Sequence, residues 1–127
     1  MDRMFANILC DDVAACASFY ERLLGMTRHF DSDWFVILTH ADMPGHEFGL
    51  LKRDSEIVPA SARAAPQGVM MTFVVADVHG AFEAAQALGA QVIEPPTEMF
   101  YGQTRSLIED PEGTVVDVSA PTVSALA

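Results

Sequence analysis

The sequence has few positive charges. Its 127 residues contain seven Lys and Arg against 18 Asp and Glu, which gives a formal net charge of −11 at pH 7. Nucleic-acid binding requires clustered Lys and Arg to neutralise phosphates, so this composition argues against a nucleic-acid partner. From residue 64 onward Arg105 is the only Lys or Arg among eight acids. A negative surface favours a cationic or neutral small ligand over a phosphorylated one; alternatively, it only aids solubility.

Long hydrophobic runs are also absent. No apolar stretch approaches the roughly 18–20 residues of a membrane helix, so we expect no membrane partner. The first ten residues, MDRMFANILC, carry an early acid and lack a small-residue cleavage site, which is not typical of a signal peptide. We therefore expect a cytoplasmic protein.

Cysteine is scarce as well. Cys10 ends an apolar stretch and Cys16 lies in a predicted helix. Two cysteines are too few for a disulfide framework, and the sequence predicts two buried, reduced thiols.

Two segments repeat one pattern at an offset of 65 residues. ANILCDDVAACASFYERLLGM and MTFVVADVHGAFEAAQALGAQ each run from a strand through an Asp into a helix that ends at Leu-Gly. Asp12 and Asp77 are typical N-caps, and Gly25 and Gly89 are typical residues at which helices stop. Between these signals, apolar residues recur at helical spacing.

Three strands are predicted after each helix, which gives an α+β fold of two βαβββ modules with internal pseudo-twofold symmetry and a curved, cup-like mixed sheet. The predicted strands cover residues 28–30, 34–39 and 47–52 in the first half, and 91–94, 104–109 and 114–119 in the second. The stretch HADMPGHE, residues 40–47, is predicted as a polar turn. A single domain would comprise module one (1–52), a linker rich in Ala, Ser and Pro (53–67), module two (68–120) and a tail (121–127).

An acid stands in the middle of the last predicted strand. Asp110–Gly113 reads as a tight turn, and the β-branched run that follows places Val115, Asp117 and Ser119 on one face. Asp117 has three interpretations: a counter-ion for a cationic ligand, a general base, or a carboxylate satisfied by nearby backbone or hydroxyl groups.

Three motifs give the chain a resemblance to the vicinal-oxygen-chelate superfamily, which includes glyoxalase I, bleomycin resistance proteins and extradiol dioxygenases. They are SFYERLLGM at residues 18–26, FYGQTR at 100–105, and the Asp-Pro-Glu-Gly turn with its strand. The resemblance covers nearly the whole chain. It implies a homodimer and, in metal-dependent members, four inward-facing ligands. By counting from the motifs, these positions hold Phe5, Leu50, Met70 and Asp117.

One carboxylate among apolar side chains cannot replace the three or so protein ligands of a divalent cation. The resemblance therefore implies neither a metal nor another cofactor, and metal-assisted glyoxalase, epimerase, dioxygenase or thiol-transferase activity is not expected. FYGQTR also departs from the family pattern, because Thr104 stands where Arg is usual. On a strand, a one-residue shift of the cation to Arg105 would move it to the other face, and the sequence leaves open whether Arg105 faces the cup.

What the resemblance leaves is the metal-free branch, whose members mostly sequester aromatic antibiotics. We therefore expect a metal-independent, bleomycin-resistance-type binding protein with an apolar cup for an aromatic and, in one interpretation, cationic compound. The alternatives are a metal-free lyase or isomerase with Asp117 as general base, and side chains that only fill the core. The predicted ligand-binding residues are Phe5, Trp34, Leu50, Met70, Met99, Tyr101 and Asp117.

Overall fold

Two βαβββ modules follow one another along the chain. The computed structural model describes residues 1–123, and its contacts divide the chain after Gln67 into two units. Each unit contains one helix and four strands. The predicted α+β class with two βαβββ modules is confirmed.

Module one forms a mixed four-stranded sheet. The order across the sheet is β1-β4-β3-β2, with β1 parallel to β4 and the other neighbours antiparallel. Its elements are β1 (Ala6–Cys10), α1 (Val13–Leu24), β2 (Thr27–Asp31), β3 (Phe35–His40) and β4 (Met43–Lys52).

Module two repeats this arrangement. The order is β5-β8-β7-β6, with β5 parallel to β8. Its elements are β5 (Met70–Val74), α2 (Val78–Ala87), β6 (Gln91–Glu98), β7 (Gln103–Glu109) and β8 (Val115–Pro121). A short 3-10 helix, Ala60–Ala62, lies in the segment between the modules.

Both helices begin and end at the residues that the repeat predicts. The Asp12 carboxylate accepts a hydrogen bond from the Ala15 N–H at 3.0 Å, and Asp77 accepts one from the Gly80 N–H at the same distance. Gly25 has the left-handed φ of 69° with which many helices end. The N-caps and the Leu-Gly ends of the repeat are therefore confirmed.

One face of each sheet packs in the core of its own module. In module one this face carries Phe48 and Leu50, and the Phe48 ring meets that of Tyr20 on α1 edge to face at 5.1 Å. In module two, Val116 and Val118 are almost fully buried, and α2 packs on β6, β7 and β8. We call the opposite faces the first open face and the second open face.

Three boundaries differ from the predictions. The polar turn predicted at 40–47 shrinks to two residues, because His40 already pairs with Met43 and β4 starts there. β6 continues to Glu98, since register shifts between Val92 and Thr97 accommodate its two prolines. β8 includes Pro121, and the predicted tail beyond residue 123 lies outside the described residues.

Cys10 and Cys16 are buried and are not joined by a disulfide, as predicted. Among the helices within residues 1–123, none has the length and apolar character needed to cross a membrane.

Candidate functional site

Three aromatic rings gather around Phe35 in module one. Its ring lies 6.4 Å from Phe5 in a stacked arrangement, 5.7 Å from Phe30 and 5.6 Å from Trp34. These separations are typical of favourable aromatic pairs. We call Phe5, Phe30, Trp34 and Phe35 the aromatic cluster.

The strand register explains how the cluster forms on the first open face. Phe30 pairs with Ile37, which lies two residues from Phe35 and therefore on the same face of the sheet. The register of β2 shifts between Arg28 and Phe30, and such a bulge re-aims side chains. Phe5 and Trp34 are among the predicted ligand-binding residues, whereas Phe30 and Phe35 are not, although both flank the short connection that contains Trp34.

The cluster is incompletely covered. Phe30 exposes 45% of its surface and Trp34 39%, whereas Phe5 and Phe35 are half-buried. Arg3 lies over the Phe5 ring at 5.0 Å, and its guanidinium makes two hydrogen bonds to Glu47 at 2.6 and 2.7 Å. One side of the cluster is thus held by the N-terminal segment while the Phe30 and Trp34 rings stay accessible.

The register predicted for Leu50 is wrong by one residue. Leu50 is fully buried and pairs with Ile8 and Val36 on the core face. Gly49 takes the position on the first open face, opposite Asn7. Because successive residues of a strand point to opposite sides, Leu50 fills the core and has no place among residues that contact a ligand on the open face.

The Asp-Pro-Glu-Gly turn positions β8 and hence Asp117. The Asp110 carboxylate accepts hydrogen bonds from the N–H groups of Glu112 and Thr114 at 2.9 and 3.0 Å. Gly113 closes the turn with a φ of 87°, a conformation that glycine adopts without strain. The predicted turn is present, and its buried acid stabilises it.

Asp117 is buried on the second open face. It exposes 8% of its surface, and its Oδ2 atom accepts a hydrogen bond from the Thr72 hydroxyl at 3.3 Å. Its Oδ1 atom is buried and has no hydrogen-bond partner within residues 1–123. The carboxylate is therefore only partly satisfied by a neighbouring hydroxyl.

Arg105 lies on the same face as Asp117, a position that the sequence leaves open. It pairs with Ser119, two residues from Asp117, and its Nη2 atom donates to Glu94 at 3.2 Å. Burial lowers the pKa of the guanidinium, but the hydrogen bond to Glu94 and the charges of Glu94, Tyr101 and Asp117 raise it, and the net shift is upward. The one-residue shift in FYGQTR brings the cation onto the open face.

The other predicted contacts of module two are partly exposed. Met70 lies on the second open face, two residues before Thr72 on β5, and is half-exposed. Met99 starts the turn between β6 and β7, where its N–H donates to Gln103 at 2.8 Å. Tyr101, in the same turn, is 51% exposed and meets the Phe100 ring edge to face at 5.2 Å.

The side chains present do not fit a divalent ion. With the corrected register, the four positions implied by the resemblance hold Phe5, Gly49, Met70 and Asp117, so a single carboxylate is available. Among residues 1–123, no three His, Cys, Asp or Glu side chains come together to hold an ion. Known sites need about three such ligands.

Tandem βαβββ modules with open sheet faces define the class of fold to which this chain belongs. A sequence profile of the Glyoxalase/Bleomycin resistance protein/Dioxygenase superfamily matches residues 4–118. The chain belongs to this superfamily. None of the curated protein sequences matches it significantly.

Solved structures share the fold at low sequence identity. A glyoxalase/bleomycin resistance protein/dioxygenase family enzyme from Burkholderia phytofirmans PsJN is 21% identical with a TM-score of 0.82, over 96% of this chain and all of that one. A glyoxalase-related enzyme from Fulvimarina pelagi is 18% identical with a TM-score of 0.76, over 98% and 94% of the two chains. At such identities the likeness shows the fold alone.

Proposed function

We propose that this chain is a metal-independent small-molecule binding protein of the bleomycin-resistance type, which holds an aromatic compound by stacking. The observation that carries the proposal is the exposure of Phe30 and Trp34 around the Phe35 ring. Exposed apolar groups that adjoin one another mark binding surfaces far more often than scattered single residues do. Aromatic side chains supply contact area with little loss of conformational entropy.

On the second open face, the charge distribution favours a neutral rather than a cationic group. Asp117 was a candidate counter-ion for a cation, but Arg105 lies on the same face and its charge already interacts with Asp117. A cationic group on this face would therefore meet a like charge beside the carboxylate.

Trp34 provides a direct test because it is the only tryptophan. Titration with planar aromatic compounds should change its fluorescence, and the same compounds should raise the melting temperature, since a ligand that binds the folded state stabilises it. Trp34→Ala should weaken binding by roughly tenfold, the loss of about 1.4 kcal/mol of contact energy, and leave the protein folded.

Ile57→Ala is the matched control, because it also removes an exposed apolar side chain from the first unit. Equal affinities of the two variants would remove the aromatic cluster from the ligand site. If none of the planar compounds alters either signal, the proposed binding function is wrong.

A metal-free lyase or isomerase with Asp117 as general base is the second candidate. It is favoured by one observation, the Oδ1 atom that has no hydrogen-bond partner among the described residues and is free to accept a proton. Asp117→Asn should then abolish turnover of a bound compound while its binding persists. Recovery of every bound compound unchanged after incubation with the wild type would exclude this candidate.

The homodimer that the resemblance implies and the cytoplasmic location expected from the sequence belong to the same proposal. Light scattering should give twice the mass of one chain at micromolar concentration. A mass equal to one chain would contradict the dimer but leave the ligand site untouched.

A further inference from the structure

Unpaired polar atoms are concentrated on the second open face. Oδ1 of Asp117, Nε of Arg105 and Oε1 of Gln103 are all buried and lack hydrogen-bond partners within residues 1–123. Gln103 and Arg105 lie two residues apart on β7, and Arg105 pairs with Ser119, two residues from Asp117. The three side chains therefore leave the same face of the sheet. Buried polar groups are almost always paired in folded proteins, so this concentration indicates a missing partner.

Two of these atoms have opposite hydrogen-bonding roles. Nε of Arg105 carries a hydrogen to donate, and Oδ1 of Asp117 accepts. The residues are diagonal neighbours on adjacent antiparallel strands, and such residues are separated by roughly 7–8 Å. Within the described part of the chain, Arg105 makes its one ion pair with Glu94, at 3.2 Å, and none with Asp117. A small group can bridge the two if it accepts from Arg105 and donates to Asp117.

We propose that Arg105 and Asp117 form a subsite within module two for a neutral carboxamide or ureido group of an aromatic compound, an inference that rests on the proposed binding function. The amide carbonyl accepts from Nε of Arg105, and the amide N–H donates to Oδ1 of Asp117. A cationic group at this point meets Arg105, and an anionic group meets Asp117. The pair therefore selects against either charge as well as in favour of the amide.

Tyr101 gives the subsite an apolar neighbour within the same module. It lies in the turn that leads into β7, four residues before Arg105, and its ring is half-exposed. An aromatic group attached to the amide can thus stack on Tyr101 while the amide bridges the pair. The substrate class that follows is an aromatic amide or urea without a formal charge.

Entry of the amide requires Arg105 to turn. The unpaired Nε and Oδ1 atoms are shielded from solvent, so the guanidinium has to leave Glu94 first. That contact is one 3.2 Å hydrogen bond between partly exposed side chains, and ion pairs of this kind contribute little to stability. The Arg105 side chain is therefore easily displaced.

Three probes of one shape separate the possibilities: 2-naphthamide, which is neutral, 2-naphthoate, which is anionic, and 2-naphthamidine, which is cationic at pH 7. Affinities are measured by calorimetry, with melting temperatures as a second readout. We expect 2-naphthamide to bind the wild type at least tenfold more tightly than either charged probe.

Variants then assign the preference to the pair. Asp117→Val removes the acceptor, and Arg105→Met removes the donor but keeps the apolar stem. Each should reduce the preference for 2-naphthamide to less than threefold. Glu83→Ala is the control, because it removes an exposed carboxylate from α2 of the same module. This variant should keep the full preference for 2-naphthamide.

Failure of the inference can be told apart from failure of the proposed function. Equal affinities for the three probes, or a preference for 2-naphthamidine, would overturn the amide subsite while binding itself stands. A preference for 2-naphthamide that survives both Asp117→Val and Arg105→Met would also overturn it. No binding by any of the three at millimolar concentration, together with a silent Trp34 signal across the aromatic panel, would overturn both.

Discussion

Asn7 and Gly49 are partners across the parallel strands β1 and β4, and the Asn7 side chain occupies the space above Gly49. A Cβ at position 49 would overlap the Asn7 amide oxygen and lie 2.8 Å from Cε1 of Phe35. Glycine is needed here because two side chains approach the backbone closely. The position where the resemblance implies a metal ligand is thus filled by an amide and an aromatic ring.

Gly49→Ala should destabilise the protein by about 1–3 kcal/mol, the usual effect of overpacking a filled site. Thermal unfolding measures the loss. Gly45→Ala on the same strand is the control, because a Cβ there has open space around it, and its stability should stay within about 0.5 kcal/mol of the wild type. Adding Asn7→Ala to Gly49→Ala should recover part of the loss. Equal stability of the two single alanine variants would show that the close approach is absent in solution.

Replacement of two buried aspartates of the second module should change the free energy of unfolding in opposite directions. One oxygen of Asp117 has no hydrogen-bond partner within residues 1–123, so Asp117→Val should raise the free energy of unfolding by about 1–3 kcal/mol, since a buried polar atom without a partner is unfavourable. Asp110 accepts from two backbone N–H groups, so Asp110→Ala should lower it by a similar amount. Denaturant melts of both variants measure the contrast. Destabilisation by Asp117→Val would mean that the contacts of the carboxylate with Thr72 and Arg105 outweigh the cost of its unpaired oxygen.

Acid should remove the stabilisation that Glu47 provides. The hydrogen bonds from Arg3 lower the pKa of Glu47 below its ordinary value of 4.5. A carboxyl group with a lowered folded-state pKa contributes stability above its unfolded pKa and loses it as the pH falls through the folded one. Glu47→Gln should therefore have a lower melting temperature than the wild type at pH 7. This difference in melting temperature should disappear as the pH falls below 4.5.

Salt provides the control for this ion pair, because screening weakens contacts between exposed charges. The difference in melting temperature between Glu47→Gln and the wild type at pH 7 should become smaller in 0.5 M NaCl. Glu56→Gln, at an exposed glutamate outside the ion pairs of the described residues, should show no such difference. If the melting temperatures of Glu47→Gln and the wild type differ by the same amount from pH 7 to pH 3, the charge of Glu47 does not contribute to stability.

The helices were predictable because their signals are local. Asp12 and Asp77 cap them, and the Leu-Gly ends stop them, through contacts with residues only three or four positions away. Strand boundaries were predicted less well. The two-residue connection at Ala41-Asp42 and the long β6 depend on pairing between strands, which no local pattern encodes.

The face of the sheet on which each side chain lies was the hardest feature to predict. A one-residue error in register reverses the face of a strand residue, and this happened at Leu50. The same uncertainty concealed the position of Arg105 beside Asp117. Phe30 reaches the aromatic cluster through a register shift in β2, which depends on the partner strand. The composition of the candidate site was therefore partly predictable, whereas its arrangement required the structure.

The repeat predicts opposite outcomes for two glycines, Gly80 within α2 and Gly89 just beyond its end. A Cβ at Gly80 would press on the Asp77 carboxylate, but the equivalent position of α1 already holds Ala15, which donates to Asp12 at the same 3.0 Å. The end of the Asp77 side chain can turn aside in the same way. Gly80→Ala should stabilise the protein by roughly 0.5–1 kcal/mol, since Ala favours the helix.

Gly89→Ala should instead destabilise the protein by about 1 kcal/mol, because Gly89 has a φ of 77°, which alanine adopts only with strain. The melting temperatures of the two variants should therefore lie on opposite sides of the wild-type value. Destabilisation by both would mean that the Asp77 cap, unlike that of Asp12, leaves no room for a side chain at the third helical position, and that the two modules differ at the start of their helices.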